Sequence, residues 1–330
     1  WQVADTIDWF EDRGIALKTE ADGRMFPVTD DSETIVRALQ KAASELGIKW
    51  HTRTRVTDLV RNDEGTFTVT TEPGAVLRAR SILIATGGIR TKEARRPVDA
   101  LDQETRAPVP SLFTFKITDK RLANLAGVSV PMASAQAAGH ETVGPILVTH
   151  WGLSGPAILK LSAWAARELA AVDYQFALTI DWTGGRSGAE LAATLERERS
   201  AHGTRQVCKR SQVEGLPGRL WQSLCAAAGI AEGQTWAQLS RAESDALIGQ
   251  LTRSEFAVTG KSLNKDEFVT CGGVPLDEVN LKTMESKITP GIFYAGEVLD
   301  IDGITGGFNF QAAWTTGRLA GMAVAEPRQG

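Results

Sequence analysis

Residues that carry metal and disulfide chemistry are scarce in this chain. Its 330 residues include 3 cysteines and 4 histidines. Cys208, Cys225 and Cys271 stand far apart, odd in number and without a C-x-x-C pair. They offer neither a disulfide framework nor a zinc spacing, and they point to a reducing, cytoplasmic compartment. His51, His140, His150 and His202 are isolated in sequence, so no metal is expected. Asp300 and Asp302 lie close together, but the other acidic positions of an EF-hand loop are missing, and the pair reads as turn formers. No apolar run approaches the ~20 residues of a membrane-spanning helix. Nothing resembles a signal peptide. The formal net charge is −4 and no Lys/Arg-rich run or basic tail appears, so neither nucleic acid nor membrane is an expected partner. Also absent is a G-x-G-x-x-G opening a βαβ unit.

What is present is an ordinary globular composition, 42% hydrophobic and 23% charged. Ile7–Lys18 reads as helix turning into strand, and Arg24-Met25-Phe26-Pro27 as a loop. Asp30 and Glu33 suggest a capping box before a helix with Ile35, Val36, Leu39, Ala42, Ala43 and Leu46 on one face, ended by Gly47. A short strand is expected at Ile48–His51. Val56–Arg61 and Thr66–Thr71 alternate around Asn62-Asp63-Glu64-Gly65, the pattern of a hairpin. The apolar run Ser81–Ala85 suits a buried parallel strand. Thr91–Pro110 is charged, proline-rich and without periodicity. Strands are expected at Leu112–Ile117, Val143–Thr149, Phe176–Asp181, Phe256–Val258 and Phe268–Cys271. Pro156 opens a helix running to about Ala171. From Ser187 to Leu251 leucines recur at i, i+4, and Ser240 with Glu243 makes a second capping box.

The most informative stretch lies near the end. Ile292, Phe293 and Tyr294 form a short strand interior. Gly296 permits a tight turn, and Glu297 falls at the carboxyl end of the strand, where open α/β sheets bind ligands. Gly306-Gly307 lets the backbone approach something flat or phosphorylated. A helix follows from about Asn309 to Met322, with Ala313, Gly317, Ala320, Gly321 and Val324 on a small-residue face. A carboxylate for sugar or ribityl hydroxyls, glycines that make room for a ring and a helix N-terminus beside its polar edge together suit a flavin. The plainer alternative is a strand–loop–helix whose glycines serve packing.

The run Ala295-Gly296-Glu297-Val298-Leu299-Asp300 through Gly306-Gly307-Phe308-Asn309-Phe310-Gln311-Ala312-Ala313-Trp314 resembles the C-terminal signature of the HI0933-like (YhiN/BaiN-like, aminoacetone-oxidase-like) FAD-dependent flavoproteins. Three further segments match in order: Gly23–Asp30, Ile82–Gly88 and Thr149–Ala157. The resemblance implies an α/β fold: a partial Rossmann-like FAD domain of the two-dinucleotide-binding type, with an inserted β-rich domain and a small helical domain. The expected boundaries are 1–97 and 273–330 for the FAD domain, 98–185 and 255–272 for the β-rich insertion, and 186–254 for the helical one. The family opens with a phosphate-binding βαβ unit, so a unit of ~30 or more residues is expected to be missing here. After Gly88 the chain departs from the family's Gly/Ser-rich turn and reads Ile89-Arg90-Thr91-Lys92-Glu93-Ala94-Arg95-Arg96-Pro97, a divergent loop or a reading-frame error.

For FAD, the resemblance implicates Val56 beside the adenine, Ala85, Thr86, Gly87 and Gly88 along the cofactor, Gly296 and Glu297 at its hydroxyls, and Gly306, Gly307, Asn309, Phe310 and Gln311 beside the ring. Asn309 is equally suited to N-capping. Arg24 suits an anionic substrate or a phosphate, and equally a surface ion pair. His150, before a Gly-x-x-Gly-Pro turn, is the candidate acid/base, although a lone histidine is more often structural. The implied activity is FAD-dependent oxidoreduction: hydride transfer between flavin N5 and a small-molecule substrate. Reduction of an enone-type bond is preferred over amine oxidation, with NAD(P)H as a candidate electron donor. A tRNA-modifying flavoprotein and a non-catalytic scaffold are the alternatives.

Overall fold

Asn62 reverses the chain with its own side chain: its amide donates to Thr66 Oγ1 at 2.9 Å and its backbone N–H to the Thr66 carbonyl at 2.8 Å. Gly65 takes the left-handed conformation that the turn requires, at φ +75°. The result is the expected hairpin, Val56–Arg61 against Phe67–Thr71, extended by a third antiparallel strand, Val76–Ala79. The computed structural model describes residues 1–72, 74–262 and 269–326. It divides into two units, Trp1–Val109 with Val269–Gly330, and Pro110–Phe268.

In the first unit, Ile82–Ile84 and Ile292–Tyr294 pair in parallel, Ile82 opposite Ile292 and Ile84 opposite Tyr294. Glu285–Ser286 and Val279–Asn280 continue this sheet in antiparallel fashion. The chain's core here gathers Leu59, Phe67, Ile84, Val98, Ile292, Phe293, Tyr294, Val298 and Ala320. Tyr294 is fully buried, and its phenol donates to Gln103 Oε1 at 3.2 Å, which also accepts from Ser286 Oγ at 3.2 Å. That satisfies polar groups whose burial is otherwise costly. Burial pushes the Tyr294 phenol well above its ordinary pKa.

Several local expectations are corrected. Met25–Pro27 is not loop but a strand paired with Leu17–Thr19. Ile48–His51 forms no strand; Ile48 and Trp50 are more than half exposed and the segment pairs with nothing among the described residues. The Asp30–Glu33 box does not form. Asp30 adopts φ +54° and its carboxylate holds Lys18 Nζ at 2.7 Å, while the helix starts at Glu33 behind Ser32. The charged stretch after Thr91 contains a helix, Lys92–Asp99, capped by Thr91 Oγ1, which accepts from Ala94 N–H at 3.1 Å. Its inward residues are few, chiefly Pro97 and Val98, so it leaves little periodicity to read.

The second unit is built on a closed six-stranded antiparallel barrel. Going round it, the strands are Ser129–Ala137, His140–Val148, Gly152–Ser154, Thr114–Ile117, Ser254–Ser262 and Phe176–Asp181. Ser129–Ala137 escaped the sequence reading because its inward positions are Val130 and the small Ala133, Ala135 and Ala137, which carry little strand propensity. The helix from Pro156 breaks at Ala165 into Pro156–Trp164 and Ala166–Ala171. Gly188–His202, Gly218–Ala227 and Arg241–Thr252 supply the helical part, and the Ser240–Glu243 capping box forms as expected. Their leucines share one buried core with the barrel, so the structure joins what the sequence separated at 186 and 254, and it moves the outer boundaries to 109/110 and 268/269. The expected strand Phe268–Cys271 is observed as Val269–Gly273, with Phe268 outside the described residues.

Arg121 fastens this unit. Its guanidinium donates to both oxygens of Asp119, to Gln250 Oε1 at 2.9 Å and to the Glu255 carbonyl, and it lies 4.1 Å from the Phe256 ring centroid. Hydrogen bonds from Arg121 hold the Asp119 carboxyl below its ordinary value of 3.8. A depressed carboxyl stabilises the fold above its unfolded pKa, and that stability is lost as pH falls through the folded value. Asp119→Asn keeps a side chain that can cap the following turn but removes the charge and one of the two oxygens that accept from Arg121. It is expected to cost about 1–2 kcal/mol at pH 7, with the gap to the unsubstituted protein closing below the ordinary carboxyl range. Urea unfolding at several pH values checks this. An equal gap at all pH values would show that the charge contributes nothing.

Candidate functional site

Parallel pairing places the two strands' carboxyl ends side by side, and each continues into a glycine turn. Ala295 N–H donates to the Ile84 carbonyl at 3.1 Å, so Ala85-Thr86-Gly87-Gly88 and Ala295-Gly296-Glu297 leave the sheet together. Ala85 and Thr86 are exposed, and Gly87 and Gly88 are half-buried. Gly87 has φ +74° and open space where a Cβ would stand. Gly88 is the reverse case. A Cβ there would meet Thr270 Oγ1 at 2.0 Å and Glu297 Oε1 at 3.0 Å.

The turn carrying Glu297 is pinned from several sides. Gly296 N–H donates to Thr316 Oγ1 at 2.9 Å, and Thr316 donates in turn to the Ala312 carbonyl at 2.7 Å within the helix Phe308–Ala325. Thr270 N–H donates to Glu297 Oε1 at 2.5 Å. Val274 N–H reaches the Val298 carbonyl and Asp300 N–H the Val274 carbonyl, at 2.9 and 2.8 Å. Asp300, nearly buried, also pairs with Arg106 at 2.9 Å. Glu297 itself is half-buried. Its Oε2 makes no hydrogen bond among those found for the described residues, which leaves one oxygen of a fixed carboxylate open to a ligand. Thr270, Thr316 and Arg106 were not foreseen. Buried threonines carry no sequence signature, and Arg106 lies in the stretch that gave no pattern.

Around the glycine loop, Gly307 has φ +86°, with nothing near a would-be Cβ, and precedes the helix Phe308–Ala325. No side chain caps that helix, so its first N–H groups and positive dipole end are offered outward. Asn309 and Gln311 are committed elsewhere. The Asn309 amide brackets Gly303, accepting from its N–H at 2.7 Å and donating to its carbonyl at 3.0 Å. Gln311 accepts from Thr6 Oγ1 at 3.0 Å and donates to Thr315 Oγ1 at 3.1 Å. Asn309 is not the N-cap; Gly307 is. Phe310 is 68% exposed and stacks on Trp314. Gly306 packs against the Phe308 ring. Val56, half-buried, opens its strand opposite Thr71.

The two candidate catalytic residues are placed differently. Arg24 sits in the turn between Leu17–Thr19 and Met25–Pro27, exposed and ion-paired to Asp22 at 2.7 Å, which is the surface-pair alternative. His150 belongs to the second unit, exposed in the tight turn between His140–Val148 and Gly152–Ser154. Among the described residues no group of three or more His, Cys, Asp or Glu side chains could hold a metal ion, and no helix is long and apolar enough to cross a membrane.

Residues 1–323 match the family described as the HI0933-like protein Rossmann domain. The chain belongs to the HI0933-like family. This is a family of FAD-dependent flavoprotein oxidoreductases, and its Rossmann-like α/β fold is the one expected from the sequence. Two relatives are named ribosomal RNA dihydrouridine synthase. The one from Escherichia coli is 30% identical, over 94% of this chain and 76% of the relative; the one from Haemophilus influenzae is 27% identical, over 97% and 79%. A 3-dehydro-bile acid delta(4,6)-reductase from Clostridium scindens is 25% identical over 98% of this chain and 80% of that protein. Among solved structures, an open-conformation flavocytochrome c3 fumarate reductase is similar at 18% identity and a TM-score of 0.42. That alignment takes in 98% of this chain and 62% of the other, so this chain spans less than two-thirds of its length.

The pinned turn predicts a measurable stability term. Thr316→Val keeps shape but removes the acceptor of a half-buried N–H. It is expected to cost about 1–2 kcal/mol in urea unfolding. No loss would show that Gly296 is held by the neighbouring contacts alone.

Proposed function

We propose that this chain binds FAD at the adjoining ends of Ile82–Ile84 and Ile292–Tyr294 and reduces a carbon–carbon double bond conjugated to a carbonyl. The observation that carries the cofactor part is the fixed Glu297 carboxylate with its one open oxygen. Around it lie the exposed Ala85-Thr86 turn, the open space at Gly87 and Gly307, and an uncapped helix N-terminus. These residues fit a flavin nucleotide. Glu297 would accept from a cofactor hydroxyl. The glycines would let the backbone approach, and the N–H groups from Phe308 onward would face the anionic edge of the ring. When bound, and once reduced by two electrons from NADH or NADPH, the flavin would supply hydride from N5.

The names of the relatives support the reaction type. A dihydrouridine is a uridine whose C5–C6 double bond, conjugated to the C4 carbonyl, has been saturated. In a 3-dehydro-bile acid with a Δ4 double bond, that bond is conjugated to the 3-oxo group. Both names therefore describe hydride addition to an activated alkene, which favours the enone side over amine oxidation. They differ in substrate size. A small-molecule enone is the reading kept from the sequence. Uridine within RNA is the second reading, favoured by the higher identity of the two dihydrouridine synthases. The absence of a basic run argues against non-specific phosphate binding and says less about a single recognised uridine. NADH or NADPH is the proposed electron source in either case.

An FAD titration followed by absorbance and fluorescence tests the cofactor part. Binding is expected, and Glu297→Ala is expected to weaken it by about tenfold or more. No binding by the unsubstituted protein would overturn the reading and favour a scaffold role. With FAD bound, anaerobic NAD(P)H oxidation is then measured with a 4-en-3-one steroid and with a uridine-containing RNA. Turnover of the RNA alone would replace the small-molecule reading, and amine-dependent reduction of the flavin would overturn both.

A further inference from the structure

We propose that Gly88 and Thr270 are positioning residues for Glu297, orienting its carboxylate so that one oxygen is engaged and the other faces the ligand. This inference rests on the FAD reading above and deepens it. The geometry is a three-body contact. Thr270 is 2% exposed and belongs to the strand Val269–Gly273. Its backbone N–H is spent on Glu297 Oε1 at 2.5 Å, a charge-assisted bond of the stronger kind. Its side chain stands where Gly88 has none, since a Cβ on Gly88 would lie 2.0 Å from Thr270 Oγ1 and 2.7 Å from Thr270 Cβ. Gly88 is therefore glycine for space and not for backbone conformation; its φ lies outside the left-handed range that favours glycine.

Thr270 is held from behind as well. Gly272 and Gly273 in the same strand run so close to Ala107 and to the Val298–Leu299 turn that a Cβ on either would meet backbone atoms at 2.5–2.6 Å. The hydrogen bonds from Val274 N–H to the Val298 carbonyl and from Asp300 N–H to the Val274 carbonyl hold the end of the strand against the Glu297 turn. Gly296, just before Glu297, is tied to Thr316 on the other side. Glu297 is thus fixed at both its backbone and Oε1, and Oε2 is the atom left to a cofactor hydroxyl. A carboxylate fixed in advance loses less conformational freedom on binding, which is how pre-organisation raises affinity.

A double-mutant cycle separates positioning from mere packing. FAD affinity is measured for the unsubstituted protein, Gly88→Ala, Glu297→Ala and the double variant, with urea midpoints taken on each. If Gly88 acts through Glu297, Gly88→Ala weakens binding about tenfold, and the double variant binds no more weakly than Glu297→Ala. Losses that simply add would overturn the inference while leaving the FAD reading intact. Absence of binding by the unsubstituted protein would overturn the FAD reading and this inference with it. Should Gly88→Ala not fold, Thr270→Gly takes its place in the cycle. It keeps the N–H donor but frees the backbone that aims it, and the same coupling to Glu297 is expected.

Discussion

Everything proposed for this chain depends on one parallel pairing, that of Ile82–Ile84 with Ile292–Tyr294. The strands are three residues each and come from distant parts of the sequence. Because they run the same way, their carboxyl ends lie together, and the two glycine turns that follow are neighbours by construction. Apolar burial supplies the drive: Ile84, Ile292, Phe293 and Tyr294 are all nearly inaccessible. An antiparallel arrangement would have put the Glu297 turn at the opposite end from Gly87-Gly88 and left no shared site.

Rigidity around that pairing comes from backbone-to-side-chain bonds more than from charge. Thr316 and Thr270 each hold one point of the 296–300 turn, and the bridge between Val274 and Leu299 holds a third. The Gln103, Tyr294 and Ser286 hydrogen bonds satisfy the polar groups beneath the sheet. A turn fixed at this many points would lose little freedom on binding the proposed ligand.

Much of this was legible in the sequence, because strong local signals coincide with the elements that matter. Phe176–Asp181, the Ser240–Glu243 capping box, the Asn62 hairpin and the Glu297 turn each carry their own chemistry in a few residues. Elements defined by tertiary context were not legible. Ser129–Ala137 hides its inward face in alanines, and Lys92–Asp99 is too short and charged to show a period. Asp30, which reads as half of a capping box, is drawn off by Lys18. At the proposed site, the candidate glycines and carboxylate were readable by motif. The threonines that aim the carboxylate were not, since their role lies in where a backbone N–H and a hydroxyl point. The side-chain amides of Asn309 and Gln311 have the right chemistry for a ring edge, yet here they bond Gly303, Thr6 and Thr315.

The most direct test is a crystal structure of the FAD-loaded protein. The account predicts a cofactor hydroxyl on Glu297 Oε2, with Oε1 still accepting from Thr270 N–H and the ring beside Gly306-Gly307. A flavin bound elsewhere, or a Glu297 carboxylate turned away from Thr270 to reach it, would contradict it.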